Sequence, residues 1–203
     1  LPQEQIAQEP LSQRDTSRLL VVESSGHHAH RIFSELPDLL RPGDLLVLNN
    51  TRVIPARLYG HKTTGAPVEV LLLEEQPNNC WLALVKPGKR LKVGAKIFFE
   101  PHLLRASLPI APPSTDGGTP PLPLLSATVL ARDEATSGRV LQFDVPAGES
   151  FAALLEQYGH VPLPPYVTDS QALPEQYQTV YAQTPGAIAA PTAGLQFTDE
   201  LLQ

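Results

Sequence analysis

At 203 residues the chain has room for one large or two small domains. It is 42% hydrophobic and 18% charged with a net charge of -6, which fits a globular protein and argues against a dedicated nucleic-acid binder unless basic residues cluster locally. No apolar run nears the ~20 residues that span a bilayer, so no membrane partner is expected, and the single Cys80 can form no internal disulfide, which points to a reducing, cytoplasmic setting.

Position 1 is Leu and the chain holds no Met, so a processed or cut N-terminus is expected. Gln3 to Gln8 can make a helical turn that Pro10 ends. Ser17 to Glu23 reads as a strand, Ser24-Ser-Gly26 as a turn and His27 to Phe33 as the returning strand. His28 and His30 share a strand face close enough for a metal, but no Cys or further His stands near in sequence, and a solvated hairpin is the favoured reading with no metal expected. Ser34 can cap a short helix over Glu35 to Leu40, which Pro42-Gly-Asp44 stops. Leu45-Leu-Val-Leu48 has the composition of a buried strand. It delivers Asn49, Asn50, Thr51 and Arg52 at its end, where ligands gather in α/β sheets. Asn can read a base or ribose and Arg can clamp a carboxylate, while an Asx turn with a structural Arg is the plainer alternative.

From Arg57 the texture is all-β. Strands are expected over Arg57 to His61, Val68 to Glu74, Cys80 to Val85, Ala95 to Glu100, Ser126 to Ala131 and Arg139 to Val145, a set that suggests a small closed six-stranded barrel. The Pro-rich run Leu108 to Pro123 is expected as an extended surface loop. The turn Lys86 to Lys96 carries Lys86, Lys89, Arg90, Lys92 and Lys96 with no acid among them. Such a turn can hold phosphates or be a solvated loop, and without interleaved aromatics it does not indicate base stacking.

Phe151 to Tyr158 has helical apolar spacing, with Ser150 as cap and Gly159 at the C′ position. His160 then falls just past the helix end, where the dipole favours its protonated form. From Tyr158 to Phe197 the chain is apolar, aromatic and stiffened by Pro162, Pro164, Pro165 and Pro191 with Gly186 and Gly194. It presents His160, Tyr166, Tyr177, Thr179, Tyr181 and Thr192, side chains that can bind and move protons. A ligand-shaped loop and a packed Pro-rich connector are both open readings. Thr198 can cap a helix begun by Asp199 and Glu200. The α/β portion holds too few strands for a complete sheet, so the chain is expected to be a piece of a longer protein, with an open sheet edge that favours aggregation. The domain reading is an α/β domain over 1–56, an inserted barrel over 57–146 and the continued α/β domain over 147–203.

Several segments carry a resemblance that spacing alone does not provide. They are Arg14-Asp-Thr-Ser-Arg-Leu-Leu20, Arg41-Pro-Gly-Asp through Ala56-Arg57, Gly159-His-Val-Pro-Leu-Pro-Pro-Tyr166, Tyr177-Gln-Thr-Val-Tyr-Ala182 and Ala189-Ala-Pro-Thr-Ala-Gly194, with Leu1-Pro2 and Ile6-Ala-Gln8 ahead of them. In this order they resemble the S-adenosylmethionine:tRNA ribosyltransferase-isomerases of queuosine biosynthesis, in the N-terminal part of that family only. The resemblance implies an α/β fold interrupted by a β-barrel. It implies transfer and isomerisation of the ribosyl moiety of S-adenosylmethionine onto a 7-aminomethyl-7-deazaguanine base of tRNA, giving epoxyqueuosine and releasing adenine and methionine. S-adenosylmethionine is then a co-substrate, precursor-bearing tRNA the partner, no recycled cofactor or metal is needed, and a monomer is expected.

On that resemblance Asn49, Asn50, Thr51 and Arg52 contact the nucleoside or the methionine carboxylate. His160, Tyr166, Tyr177, Thr179 and Tyr181 shape the pocket, with His160 and Tyr166 as catalytic candidates and His160 the leading proton-transfer group. Pro191, Thr192, Ala193 and Gly194 bring the backbone close to the ligand. The basic turn meets tRNA phosphates. The family motif runs Pro-Thr-Ala-Gly-Leu-His-Phe, and Gln196 stands at its His position, where it can hydrogen-bond but not trade protons near neutral pH. Alternatives are a degenerate homologue that binds tRNA or nucleoside without chemistry, and a β-barrel interaction module.

Overall fold

Strands with one apolar face must bury it, and the middle of the chain does so by closing on itself. A computed structural model describes residues 2–101, 125–164, 166–167, 170 and 172–203. The chain forms two units, one of Leu1–Val53 with Leu163–Gln203 and one of Ile54–Pro162. In chain order the described strands are β1 (Arg18–Val22), β2 (His28–Ile32), β3 (Thr51–Val53), β4 (Arg57–Lys62), β5 (Pro67–Gln76), β6 (Cys80–Lys86), β7 (Lys96–Phe99), β8 (Ser126–Arg132), β9 (Arg139–Asp144), β10 (Gly159–His160) and β11 (Thr184–Ala187). The described α-helices are α1 (Leu36–Leu39) and α2 (Phe151–Tyr158), joined by short 3-10 turns.

In the second unit the strands run β4-β5-β6-β9-β8-β7, and β7 pairs back onto β4, so the sheet closes with six antiparallel strands as expected. Alternate residues point inward: Leu58, Val70, Leu72, Ala83, Ile97 and Leu141 are all fully buried. Closure brings two backbones very close at Gly60, where a Cβ would run into the Phe98 carbonyl. Bulges between Leu72 and Glu74 and between Val129 and Ala131 add the local twist that a small barrel needs. The Pro-rich run 108–123 lies outside the described residues.

Helix α2 packs on this barrel. Ser150 caps it as expected, its Oγ accepting from Ala153 N–H at 3.1 Å. Phe151 packs against Trp81 and Phe143 with ring centroids 5.6 and 4.7 Å away, and Leu154 and Tyr158 are buried. The helix therefore belongs with the barrel, and the second unit extends to Pro162 rather than ending at the expected boundary near 146. Gly159 is not a left-handed cap. It is extended (φ -86°, ψ 158°), and its role is steric, because a Cβ would meet the carbonyls of Pro55 and Leu155.

The first unit is built from small pieces. β1 and β2 form the expected antiparallel hairpin, with His27, His28 and His30 exposed. No cluster of metal-binding side chains exists among the described residues. The short helix is entered differently from expectation: Ser34 does not cap it. The Glu35 carboxylate instead accepts from Ile32 N–H and from Arg31 at 2.9 Å each, because a 3-10 turn over Phe33–Glu35 puts the longer side chain within reach of the free N–H. At the other end of the unit, Thr198 does cap its turn, accepting from Leu201 N–H at 3.3 Å.

Leu45-Leu-Val-Leu48 departs most from expectation. It is not a buried strand here: Leu45 is 87% exposed, Leu46 46%, Val47 81% and Leu48 37%. No described strand lies beside it, so its strand composition finds no sheet to enter. Downstream, β3 pairs with β11 in parallel, Thr51 opposite Thr184 and Arg52 opposite Pro185. Among the described residues no helix is long and apolar enough to cross a membrane.

The barrel wall supplies a pH-dependent contribution. Ser126 donates its hydroxyl to Asp144 at 2.7 Å and Lys96 pairs with the same carboxylate at 3.1 Å. The Ser126 hydroxyl first and the Lys96 ammonium second hold Asp144 below the ordinary aspartate range. The unfolded chain thus binds a proton where the folded chain does not. This contribution is complete above the ordinary aspartate pKa and is lost as pH falls through the lowered value. Ser126→Ala should cost at most about 1 kcal/mol in urea unfolding at pH 7, since solvent screens the half-exposed carboxylate, with a smaller deficit at a pH below the lowered Asp144 value. An equal deficit at both pH values would contradict this assignment.

Candidate functional site

The first unit holds a cavity of ≈ 780 Å³. One wall comes from the N-terminal segment and the start of β1: Ile6, Leu11, Arg14, Thr16, Ser17 and Arg18. The other comes from the Pro-rich stretch and the final turn: Pro164, Tyr166, Val167, Tyr177, Thr192, Leu195 and Gln196. Residues far apart in sequence meet here because of one side chain. The Arg14 guanidinium donates to the carbonyls of Gln178 at 2.6 Å, Glu175 at 2.8 Å and Leu195 at 3.3 Å. A planar cation with five N–H donors suits such a task, since it satisfies several carbonyls that a loop cannot pair within itself.

Gln178 continues the tie. Its Oε1 accepts from Val53 N–H at 3.0 Å and its Nε2 donates to Val53 O at 2.8 Å, so a carboxamide stands in for a strand at the end of β3. The turn over Thr192–Gly194 rests on Tyr181: a Cβ on Gly194 would meet the Tyr181 hydroxyl and lie 3.1 Å from Thr179 Cγ2. Tyr181 packs edge-on to Phe197, and Phe197 edge-on to Phe33, at 6.0 and 5.0 Å between centroids. Burial pushes the Tyr181 phenol above its usual pKa, so it stays a neutral hydroxyl at physiological pH.

The expected site residues therefore separate. Tyr166, Tyr177, Thr192 and Gln196 line the cavity. Thr179, Tyr181 and Gly194 stand behind it as packing, and Thr179 Oγ1 is buried with no partner among the described residues. Pro191 and Ala193 shape the turn without lining the cavity; the Pro191 carbonyl accepts from Gly194 N–H at 2.9 Å. Asn49 to Arg52 do not line it either. Asn49 Oδ1 accepts from Thr51 N–H at 2.9 Å, the Asx turn named above as the alternative, and the Asn50 carbonyl accepts from Gln183 and Thr184.

His160 belongs to the barrel unit. It lies in β10 opposite Arg57, with its ring edge-on to Tyr59 at 5.1 Å between centroids. Arg14, Arg18 and Gln178 are what sequence reasoning passed over as site builders. Arg14 and Gln178 sat inside motifs, but nothing in a motif says which carbonyl or N–H a side chain will meet.

The cavity joins apolar walls to hydroxyls, the carboxamides of Gln176 and Gln196, the Glu9 carboxylate and the guanidinium groups of Arg14 and Arg18. Neither Arg14 nor Arg18 has a carboxylate partner among the described residues. Such a lining, with charges of both signs, suits a partly apolar ligand that carries a polar, charged end.

The basic turn on the barrel is also a built feature. Arg139 is buried and donates to the carbonyls of Gly88 (2.7 Å), Leu91 (2.9 Å), Gly138 (2.7 Å) and Ser137 (3.1 Å). Charge-assisted bonds of this kind contribute roughly 1.5–3 kcal/mol each and offset the cost of burying the cation. Leu91 is buried beneath the turn, while Lys86, Lys89, Arg90 and Lys92 are exposed and unpaired with acids among the described residues. Lys96 is set apart by its pairing with Asp144.

Fold and cavity together define an α/β protein with an inserted closed β-barrel. The chain belongs to the queuosine biosynthesis protein family, whose model matches residues 1–203. It is 60% identical over 216 residues to the S-adenosylmethionine:tRNA ribosyltransferase-isomerase of Trichormus variabilis, covering 100% of this chain and 53% of that protein. It is 45% identical over 205 residues to the enzyme of the same name from Moorella thermoacetica, again covering 100% of this chain and 53% of the relative. The crystal structure of S-adenosylmethionine tRNA ribosyltransferase from Thermotoga maritima is 32% identical, covering 100% of this chain and 50% of that one, with a TM-score of 0.34. The chain thus spans about half the length of the relatives it matches.

Gly194 offers a direct check on how the cavity wall is held. Gly194→Ala should destabilise the protein by about 1–3 kcal/mol, the usual cost of overpacking, and adding Tyr181→Phe should recover part of it by removing the obstructing hydroxyl. Urea unfolding of both variants reads this out. No recovery in the double variant would show that the turn does not rest on Tyr181.

Proposed function

We propose that this chain is the N-terminal portion of a cytoplasmic, monomeric enzyme of queuosine biosynthesis. The enzyme transfers and isomerises the ribosyl moiety of S-adenosylmethionine onto the deazaguanine base of tRNA, releasing adenine and methionine. The observation that carries this reading is the family match over residues 1–203 combined with 60% identity to a relative of that name. The cavity supports it. Its guanidinium groups suit the carboxylate of the methionine portion, and Tyr166, Tyr177, Thr192 and Gln196 suit the sugar and base.

The reaction needs a base to remove a proton beside the sulfonium and an acid to assist adenine departure. Tyr166 lines the cavity and is half exposed, so it can reach a bound ligand as a proton donor. His160, on the barrel unit, remains the proton-transfer candidate that the resemblance indicates. Asn49, Asn50, Thr51 and Arg52 are proposed to contact substrate with the complete protein in place. Lys86, Lys89, Arg90 and Lys92 are proposed to meet tRNA phosphates from the turn that Arg139 pins. Lys96, paired with Asp144, contributes least. Half of the relatives' length is not matched, so this stretch by itself is proposed to be inactive.

A second reading rests on Gln196. It lines the cavity, and a carboxamide there can hold a ligand but cannot act as acid or base. A binding protein without chemistry follows if that position transfers a proton in the family.

The test is adenine release from S-adenosylmethionine in the presence of precursor-bearing tRNA. This chain is compared with the same chain continued by the second half of the Trichormus variabilis relative, each with and without Gln196→His. The expected result is release by the extended chains only. Release by the extended chain only when Gln196→His is present would favour the second reading. No release by any version, with tRNA still bound, would overturn the first.

A further inference from the structure

The outer wall of the barrel carries a row of rings that the buried core does not use. Side chains alternate along β4 and β7: Leu58, Gly60, Ile97 and Phe99 are buried, while Arg57, Tyr59, His61, Lys96 and Phe98 turn outward. Gly60 has no side chain, so the two backbones close on each other, and the register sets His61 directly opposite Phe98. Their ring centroids are 5.9 Å apart with the planes 33° from parallel, and Lys96 Nζ sits 5.8 Å from the centre of the Phe98 ring. On the other side β10 sets His160 opposite Arg57, with its ring 5.1 Å from that of Tyr59. Rings from three strands thus form one half-buried row on the outside of the barrel.

This row runs up to the basic turn. Lys62, next to His61, donates to the Arg90 carbonyl at 3.3 Å, so the His61 end of the row meets the turn that bears Lys86, Lys89, Arg90 and Lys92. Glu69 and Asp144 on this wall are taken up by Arg57 at 2.9 Å and Lys96 at 3.1 Å. Glu100, whose N–H donates to the Tyr59 carbonyl, has no cation partner among the described residues, so positive charge concentrates at the opposite end, by His61. The turn has no aromatics of its own; strand pairing supplies them from β4 and β7. Rings on a sheet face beside clustered cations are how sheet proteins hold unpaired bases, each base laying its face on a ring while its phosphate meets a cation. A duplex offers the same phosphates but keeps its bases stacked inside.

We propose that Tyr59, His61 and Phe98 form a stacking platform for unpaired nucleotides of RNA, with Lys62 and the cations of the basic turn on the phosphates. His160 closes the row at its far end. Charge complementarity selects this occupant, because a polyanion with exposed rings matches both halves of the surface. The inference rests on the tRNA partner proposed above but not on the reaction, since its readout is binding.

The experiment measures, by fluorescence anisotropy, how the 203-residue chain binds a labelled single-stranded RNA of about ten nucleotides and the duplex of that RNA with its complement. The single strand should bind more tightly than the duplex by about ten-fold or more. Tyr59→Leu and Phe98→Leu should each weaken single-strand binding by about ten-fold and leave its salt dependence unchanged. Lys89→Gln combined with Arg90→Gln should instead flatten that dependence, by about 0.7 per cation in the log–log slope. Phe98→Tyr keeps a ring and should bind as the parent chain does. Equal affinity for strand and duplex overturns the proposal, as do leucine variants that bind like the parent, a Phe98→Tyr variant as weak as Phe98→Leu, or no RNA binding at all. If the chain extended by the second half of the Trichormus variabilis relative releases adenine while any of these holds, the enzymatic reading stands and this inference alone falls.

Discussion

The cavity depends on one cation and three carbonyl oxygens. Arg14 joins the segment before β1 to Glu175, Gln178 and Leu195, residues more than 160 positions away. The loops it joins contain few regular elements, so they have little backbone pairing of their own. Each bond from a charged donor contributes roughly 1.5–3 kcal/mol, more than a single 3-10 turn can supply locally. Tyr177, Thr192 and Gln196 face a common space because the carbonyls beside them are drawn to the same guanidinium. Gln178 then carries the tie to the end of β3.

The barrel unit uses the same device for a different purpose. Arg139 gathers carbonyls from the turn that bears Lys86, Lys89, Arg90 and Lys92, and it is buried where those four are exposed. A buried guanidinium holding a loop of exposed cations keeps like charges close together at a cost that the carbonyl bonds offset. A flexible basic loop would spread its charges; a pinned one presents them in a fixed pattern, which suits a polyanion. In both units an arginine inside the structure shapes what polar side chains present outside it.

The barrel was legible from sequence because its signal is local. Alternation along Val68 to Leu72 shows which face is inward, and Gly, Pro and Asn-Asn turns mark where each strand stops. The hairpin around Gly26, the Ser150 cap and the Thr198 cap were legible for the same reason. Leu45–Leu48 shows the limit of local reading. Its composition is that of a strand, yet no strand forms there, because a strand needs neighbours to pair with and none lies beside it among the described residues. The site was half legible. Aromatic and hydroxyl residues in stiff motifs marked Tyr166, Tyr177 and Thr192, yet Asn49 went to an Asx turn and Tyr181 to packing. Arg14 and Gln178 act over long range, and no sequence pattern names the carbonyls they reach.

Native-state hydrogen exchange on Arg14→Met tests most directly whether one guanidinium assembles the cavity. The amides of Gln176 and Gln178 and those of Gly194 and Phe197 should lose protection together, by about ten-fold or more, while Val70 and Leu72 in the barrel keep theirs. Loss in one loop without the other, or in neither, would contradict the claim that this single guanidinium assembles the cavity.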